Sequence, residues 1–202
     1  EGLEDKKLKE LLKELILHTP KTSGKLFFNQ LFGGLNSKAV LGDLLAVLLN
    51  NSMATYKIAG PMVEVEKEIL RKISQLISYP DSSGGTLPTG GSMSNFMALI
   101  ISRDKKCSKS RISGNTQNLI CYTSENSHYS MAKNASFAGI GKENVRYIKS
   151  NEKGQIDVYA FKRQVVDDLA NGFLPFYLNA TAGTTVLCAF DNITDLFPIC
   201  NQ

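Results

Sequence analysis

Apolar positions keep helical spacing through the first third of the chain and then break into short β-prone runs separated by helical ones. Leu8, Leu11, Leu12, Leu15 and Ile16 recur three and four positions apart between lysines and glutamates. That spacing predicts an amphipathic helix over residues 3–17, which Pro20 stops. Residues 19–36 carry Gly24, Gly33 and Gly34 around the apolar Leu26-Phe27-Phe28. They read as a loop that packs on something else, such as another subunit. Residues 37–50 read as a second helix with Ser37 as its cap. Pro61 opens a third at its first helical position, with Met62, Val63, Ile69, Leu70, Ile73, Leu76 and Ile77 along one side.

Past Asp81-Ser82-Ser83-Gly84-Gly85 the period changes. Strands are predicted over residues 86–89, 119–123, 145–148 and 175–180, and helices over 93–103, 127–138 and 158–170. Strands alternating with helices imply an α/β fold, with a mostly parallel sheet covered by helices on both faces. The predicted organisation is a helical N-terminal segment, residues 1–79, followed by an α/β domain, residues 80–202. The chain opens at Glu1 and stops inside a helical pattern at Asn201-Gln202, so both ends read as cut.

Composition narrows the function classes. At 202 residues with 43% hydrophobic and 21% charged residues, the chain has the make-up of a soluble globular protein. The net charge of +4 is spread among interleaved acids and bases, without the basic stripe and aromatics of a nucleic-acid binder. The most basic stretch, Arg103 to Arg111, reads as a solvated helix end and loop. Cys107, Cys121, Cys188 and Cys200 make no C-x-x-C pair, which argues against a zinc site. Cys121 and Cys188 stand in apolar, strand-like runs, as buried reduced thiols do, and a cytoplasmic setting is inferred. No apolar run is long enough to span a membrane, and no signal-peptide pattern is present.

Three stretches carry chemistry, each at a strand-to-loop junction. Thr123-Ser124-Glu125-Asn126-Ser127-His128-Tyr129-Ser130 sets one of the chain's two histidines among hydroxyl groups, where an α/β sheet places its ligand crevice. A polar loop with a surface histidine is the plainer alternative. Gly90-Gly91-Ser92-Met93-Ser94-Asn95 offers two glycines, a hydroxyl and the amides of a helix N-terminus, which together can cradle a phosphate. The plainer alternative there is a tight turn with a serine N-cap. Neither a P-loop nor a G-x-G-x-x-G dinucleotide turn is present. Residues 179–191 place small residues and threonines after a buried strand, followed by Asp191, which is also expected to cap the final helix. An anion site, an imidazole and hydroxyl donors at one sheet edge suit a flat phosphorylated cofactor, and pyridoxal phosphate is the candidate.

These three stretches, with Phe27-Phe28-Asn29-Gln30-Leu31 and Thr55-Tyr56-Lys57-Ile58-Ala59, resemble the group II pyridoxal-phosphate-dependent decarboxylases. Within that family they are most similar to glutamate and cysteine sulfinate decarboxylases. The resemblance covers the chain from about Gly24 onward. It implies a fold-type I aminotransferase-like large domain, a homodimer with active sites at the interface, and pyridoxal 5'-phosphate as cofactor. It implies decarboxylation of an amino acid, with glutamate, cysteine sulfinate and aspartate as candidates. By the same resemblance His128 is the catalytic histidine that stacks on the pyridine ring. Gly90, Gly91 and Ser92 match the phosphate turn, and Thr185 matches a threonine on the phenolic-oxygen side. Asp191 matches an acid close to the site, and Gln30 a residue near the substrate. Cys188 stands where glutamate-type members usually have glycine.

The departures matter as much. The histidines are followed by Thr19 and Tyr129, so the family's His-Lys pair, whose lysine holds the cofactor, does not occur. The His-Val-Asp-Ala stretch and the C-terminal arginine domain are missing too. The expectation is an N-terminal portion of such an enzyme, inactive by itself. The rival is a truncated paralogue that acts as a non-catalytic binding or dimerising module.

Overall fold

The computed structural model describes residues 4–29, 31–115 and 117–201. The chain divides into two compact units, Glu1–Gly84 and Gly85–Gln202.

The first unit is helical: α1 (Asp5–His18), α2 (Ser37–Leu49), α3 (Tyr56–Ala59) and α4 (Met62–Leu76). The cap of α2 is Asn36 rather than Ser37: the Asn36 carboxamide oxygen accepts from the amides of Lys38 and Ala39 at 2.9 and 3.3 Å. Asn36 holds the extended backbone of a cap, whereas Ser37 is already helical. Neither α1 nor α2 buries a residue, and Leu44, Leu45 and Leu48 on α2 are all exposed.

The second unit runs α5 (Gly91–Lys106), α6 (Ser110–Ser113), β1 (Leu119–Ser124), α7 (Ser130–Phe137), a 3-10 turn at Lys142–Asn144, β2 (Val145–Ile148), α8 (Val158–Ala170), β3 (Leu174–Asn179) and α9 (Ile193–Cys200). Its three strands are parallel in the order β2-β1-β3. The strand predicted over residues 86–89 does not form, and Pro88, at its centre, has no N–H to give a ladder. Helix α8 starts and ends where the periodicity predicts. Its Asp157 cap accepts from the amides of Tyr159 and Ala160 at 2.9 Å. Among the described residues, no helix is long and apolar enough to cross a membrane, and no cluster of metal-ligating side chains occurs.

Strand β1 is buried along its whole length because both faces are covered. Leu119 and Cys121 face a core that contains Leu99 of α5 and Met131 of α7. Ile120 and Tyr122 face the other core, with Phe161 of α8 and Leu196 of α9. Burial pushes the Cys121 thiol up to about 12, so it stays a neutral, inert core group. Against β3 the register slips: Ile120 lies opposite Pro175 but Cys121 opposite Tyr177, leaving Phe176 as the extra residue. A proline beside the irregularity fits the place where a ladder donor is already missing.

A polar hub crosses the second core. Asp168 of α8 is 3% exposed and accepts from the Tyr122 hydroxyl at 3.1 Å, the Arg146 Nε at 3.0 Å and the Gln164 Nε2 at 3.2 Å. Burial, reinforced by the adjacent Asp168 carboxylate, raises the Tyr122 pKa, which keeps its hydroxyl a donor. Asp168→Asn removes the charge but keeps the shape. It should lower stability by about 1–3 kcal/mol, read as a lower urea midpoint at unchanged slope.

The basic stretch that begins in the last turn of α5 is less solvated than its composition suggests. Arg103 is half-buried, pairs with Asp104 at 2.8 Å and donates to the Ala138 carbonyl at 2.8 Å. Its charge is therefore engaged in holding the end of α5 against the end of α7.

Candidate functional site

Parallel strands place the loops after β1, β2 and β3 at one edge of the sheet. The turn that opens α5 joins this edge through side chains of α7.

Gly90 has φ 157° and ψ 167°, a conformation that essentially only glycine takes. Gly91 is the first residue of α5. A Cβ added at either glycine would meet no atom within 4 Å, so the space over the turn is open. The amides of Met93 and Ser94 return to the Gly90 carbonyl at 3.0 and 3.1 Å, while those of Gly91 and Ser92 have no acceptor within the helix. Ser92 is exposed, and its hydroxyl does not cap the helix, since Gly90 occupies the cap position. The turn is held from behind by buried groups of α7. The Asn134 Nδ2 donates to the Ser92 carbonyl at 3.1 Å, and the Asn95 Nδ2 of α5 donates to the Ser130 hydroxyl at 3.0 Å.

His128 lies in the loop between β1 and α7, because α7 starts at Ser130 rather than near residue 127. The ring is exposed and packs on Tyr129 with centroids 4.2 Å apart and planes at 31°. Its Nδ1 accepts the Ser130 amide at 3.2 Å. An accepting nitrogen carries no proton, so the neutral ring bears its proton on Nε2. The loop is fixed on two sides. Toward β2, Asn126 Nδ2 donates to the Ser150 hydroxyl at 2.8 Å, and the Ser150 amide donates to Glu125 Oε1 at 2.9 Å. Toward β3, the hydroxyls of Ser127 and Thr181 meet at 2.9 Å.

The loop after β3 is organised by Asp191. Its carboxylate accepts the Thr181 amide and the Ile156 amide, each at 2.7 Å, and its own amide donates to the Thr181 carbonyl at 2.9 Å. Asp191 does not cap α9. Asn192 does, its side-chain oxygen accepting the Asp195 amide at 3.4 Å. An acid already bonded to two amides from other segments is not free to turn toward a helix end. The segment around Cys188 is a turn rather than a strand. The Thr184 hydroxyl accepts the Ala189 amide at 3.0 Å, and Cys188 sits exposed at φ 51°. Thr185 is exposed in that turn, and no hydrogen bond ties its hydroxyl to another described residue. Gln30 lies outside the described residues.

The structure thus links Gly90, Gly91 and Ser92 to α7, and His128 to Asp191 through Ser127 and Thr181. It leaves Thr185 unlinked. Ser127, Thr181, Asn95 and Asn134, which sequence reasoning did not single out, make these links. Ser127, Thr181 and Asn95 gave a signal by lying inside the three motifs, and Asn134 gave none. Open space over two glycines, helix-end amides and the exposed Ser92 hydroxyl form a donor set that fits a phosphate group.

The pyridoxal-dependent decarboxylase conserved domain matches residues 4–202. Acidic amino acid decarboxylase GADL1 of Xenopus tropicalis is 36% identical over 203 residues, covering 100% of this chain and 40% of the relative. Human (Homo sapiens) cysteine sulfinic acid decarboxylase is 36% identical over 204 residues, covering 100% of this chain and 41% of the relative. The crystal structure of mouse CSAD superposes with a TM-score of 0.95 at 35% identity, over 100% of this chain and 42% of that one. Tryptophan decarboxylase of Catharanthus roseus, solved with L-tryptophan, gives 0.85 at 26% identity, over 100% of this chain and 44% of that one. The chain therefore spans about two fifths of the length of the curated relatives it matches. The family domain leaves almost none of the sequence unmatched, and the chain belongs to the pyridoxal-dependent decarboxylases.

Proposed function

We propose that the protein carrying this chain decarboxylates an acidic amino acid with pyridoxal 5'-phosphate, and that this chain supplies the phosphate and ring-holding parts of the site. The observation that carries the reading is the Gly90-Gly91-Ser92 turn, open above two glycines at the start of α5 and braced from behind by Asn134. Bound pyridoxal phosphate supplies an electron sink for the pair left when carbon dioxide departs. Gly91 and Ser92 bind the phosphate through their amides and the serine hydroxyl. His128 presents its ring to the pyridine by stacking and orients the leaving carboxylate. Thr185 donates its unlinked hydroxyl on the phenolic-oxygen side. Asp191 shapes the floor of the loop from which Thr181 and Thr185 project. Gln30 is assigned to the substrate by its motif alone.

Two curated relatives are named for acidic substrates, which favours cysteine sulfinate, aspartate and glutamate as the class to test. The complete protein, supplied with pyridoxal phosphate, should release carbon dioxide from at least one of the three. Stoichiometric cofactor binding without release from any of them would favour the non-catalytic binding module instead. The 202-residue chain alone should release none, since it contains no His-Lys pair.

The exposed leucines of α2 support a homodimer, because a helix that buries nothing while presenting Leu44, Leu45 and Leu48 lacks the cover such a face needs. Sedimentation equilibrium of the complete protein reads this directly, and a monomer mass at all concentrations would remove the dimer. The free cysteines support a reducing, cytoplasmic setting. Fractionation of cells would place the protein elsewhere if that were wrong.

A further inference from the structure

We propose that Ser127 is a positioning residue: its hydroxyl, joined to that of Thr181, ties the His128 loop to the Asp191-braced loop after β3 and so sets the plane of the imidazole. This rests on the reading of His128 as the ring that stacks on the cofactor.

His128 has little of its own to hold it in place. The ring is exposed, and among the described residues its one polar contact is the Ser130 amide on Nδ1 at 3.2 Å. That contact lies within its own loop, so it fixes the ring relative to α7 but not relative to the rest of the sheet edge. Tyr129 packs on the ring, but it is itself exposed and gives no external reference. The next residue inward, Ser127, is half-buried and makes the long-range contact to Thr181 at 2.9 Å across 54 positions of sequence. Thr181 is held at both of its backbone polar groups: its amide donates to Asp191 Oδ2 at 2.7 Å and its carbonyl accepts the Asp191 amide at 2.9 Å. Asp191 in turn holds the Ile156 amide at 2.7 Å, just before α8. A continuous path therefore runs from α8 through Asp191, Thr181 and Ser127 to His128. Its one link made solely by side chains is the Ser127–Thr181 pair. A hydroxyl pair is also the link that substitution can cut without touching the backbone.

A path of this kind gives an arrangement in which the two hydroxyls act as a unit. Removing either should have the effect of removing both. Asp191 then serves the site through Thr181 rather than by touching the cofactor.

The test uses the complete protein, with Ser127→Ala, Thr181→Val, the double variant and the hydroxyl-retaining Ser127→Thr, each titrated with pyridoxal 5'-phosphate. Readouts are the dissociation constant and the circular dichroism that the bound cofactor acquires in its absorption band, which reports ring orientation. Each single variant should weaken binding about two- to tenfold, the span expected for one neutral hydrogen bond, and reduce the induced dichroism. The double variant should be no worse than the more affected single one, and Ser127→Thr should match the parent. Additive losses in the double variant, or parent-like affinity and dichroism in Ser127→Ala, would overturn the proposal while leaving the function intact. A parent protein that takes up no pyridoxal phosphate would overturn the function itself, and this proposal with it.

Discussion

Gly91→Val should give a protein that folds normally and has lost its pyridoxal phosphate. The two glycines of the turn do different work, and this substitution separates them. Gly90 sits at φ 157°, so any side chain there strains the backbone. Gly91 is helical, with no such constraint, and an added Cβ meets nothing within 4 Å. Valine has a better helix propensity than the glycine it replaces, by a few tenths of a kcal/mol, so the helix itself loses nothing. What the branched side chain does is fill the space through which a phosphate must approach the helix-end amides. Ser92→Ala removes one hydrogen bond to a charged group, about 1.5–3 kcal/mol, or roughly one to two orders of magnitude in affinity. Gly91→Val should exceed that, since it blocks several donors at once. Visible absorbance after dialysis measures retained cofactor, and far-UV circular dichroism reports the fold. A folded Gly91→Val protein that keeps its cofactor as well as the parent would place the phosphate elsewhere.

His128→Ala should divide the two properties in the opposite sense, lowering turnover far more than binding. Aromatic stacking is worth about 0.5–1.5 kcal/mol beyond the buried area, so the affinity for pyridoxal phosphate should fall by about tenfold at most. A leaving carboxylate that is no longer oriented should cost about a hundredfold in kcat. The variant should remain folded, because the ring is exposed and, among the described residues, bonds only the Ser130 amide. Normal turnover by His128→Ala would return this residue to the role of a surface histidine.

What could be foreseen from the residues follows the range of the interactions involved. Helix α8 was legible in full because its cap, Asp157, and its apolar spacing are local signals that agree. Strand β1 was legible because its β-prone run is buried on both faces, and the two cores on either side follow from the alternation of Leu119, Ile120, Cys121 and Tyr122. The residues around Cys188 were misleading for the converse reason. Val186-Leu187-Cys188-Ala189-Phe190 has a strand's composition, but Thr184 closes it into a turn through the Ala189 amide. Asp191 looked like a cap from its position before a helix, yet it is occupied by amides 10 and 35 positions away. Nothing local announces such partners. Within the site, residue types were readable and residue pairings were not: the Ser127–Thr181 contact depends on the register of β1 against β3, which the bulge at Phe176 shifts by one.

The strand order also sets a timetable for assembly. Cys121 meets Val145 of β2 only 24 positions away, but meets Tyr177 of β3 at a distance of 56. Closing the longer loop costs about 0.7 kcal/mol more in chain entropy, and non-local parallel pairing is slow. During synthesis β1, α7 and β2 are all available before β3 has been made. The Ser150 side of the His128 loop should therefore acquire protection from hydrogen exchange early, and the Thr181 side late. The anchorage of the imidazole would then be among the last features of this unit to mature, and during that interval the newly made sheet would present β1 with one edge unpaired to chaperones and to neighbouring chains.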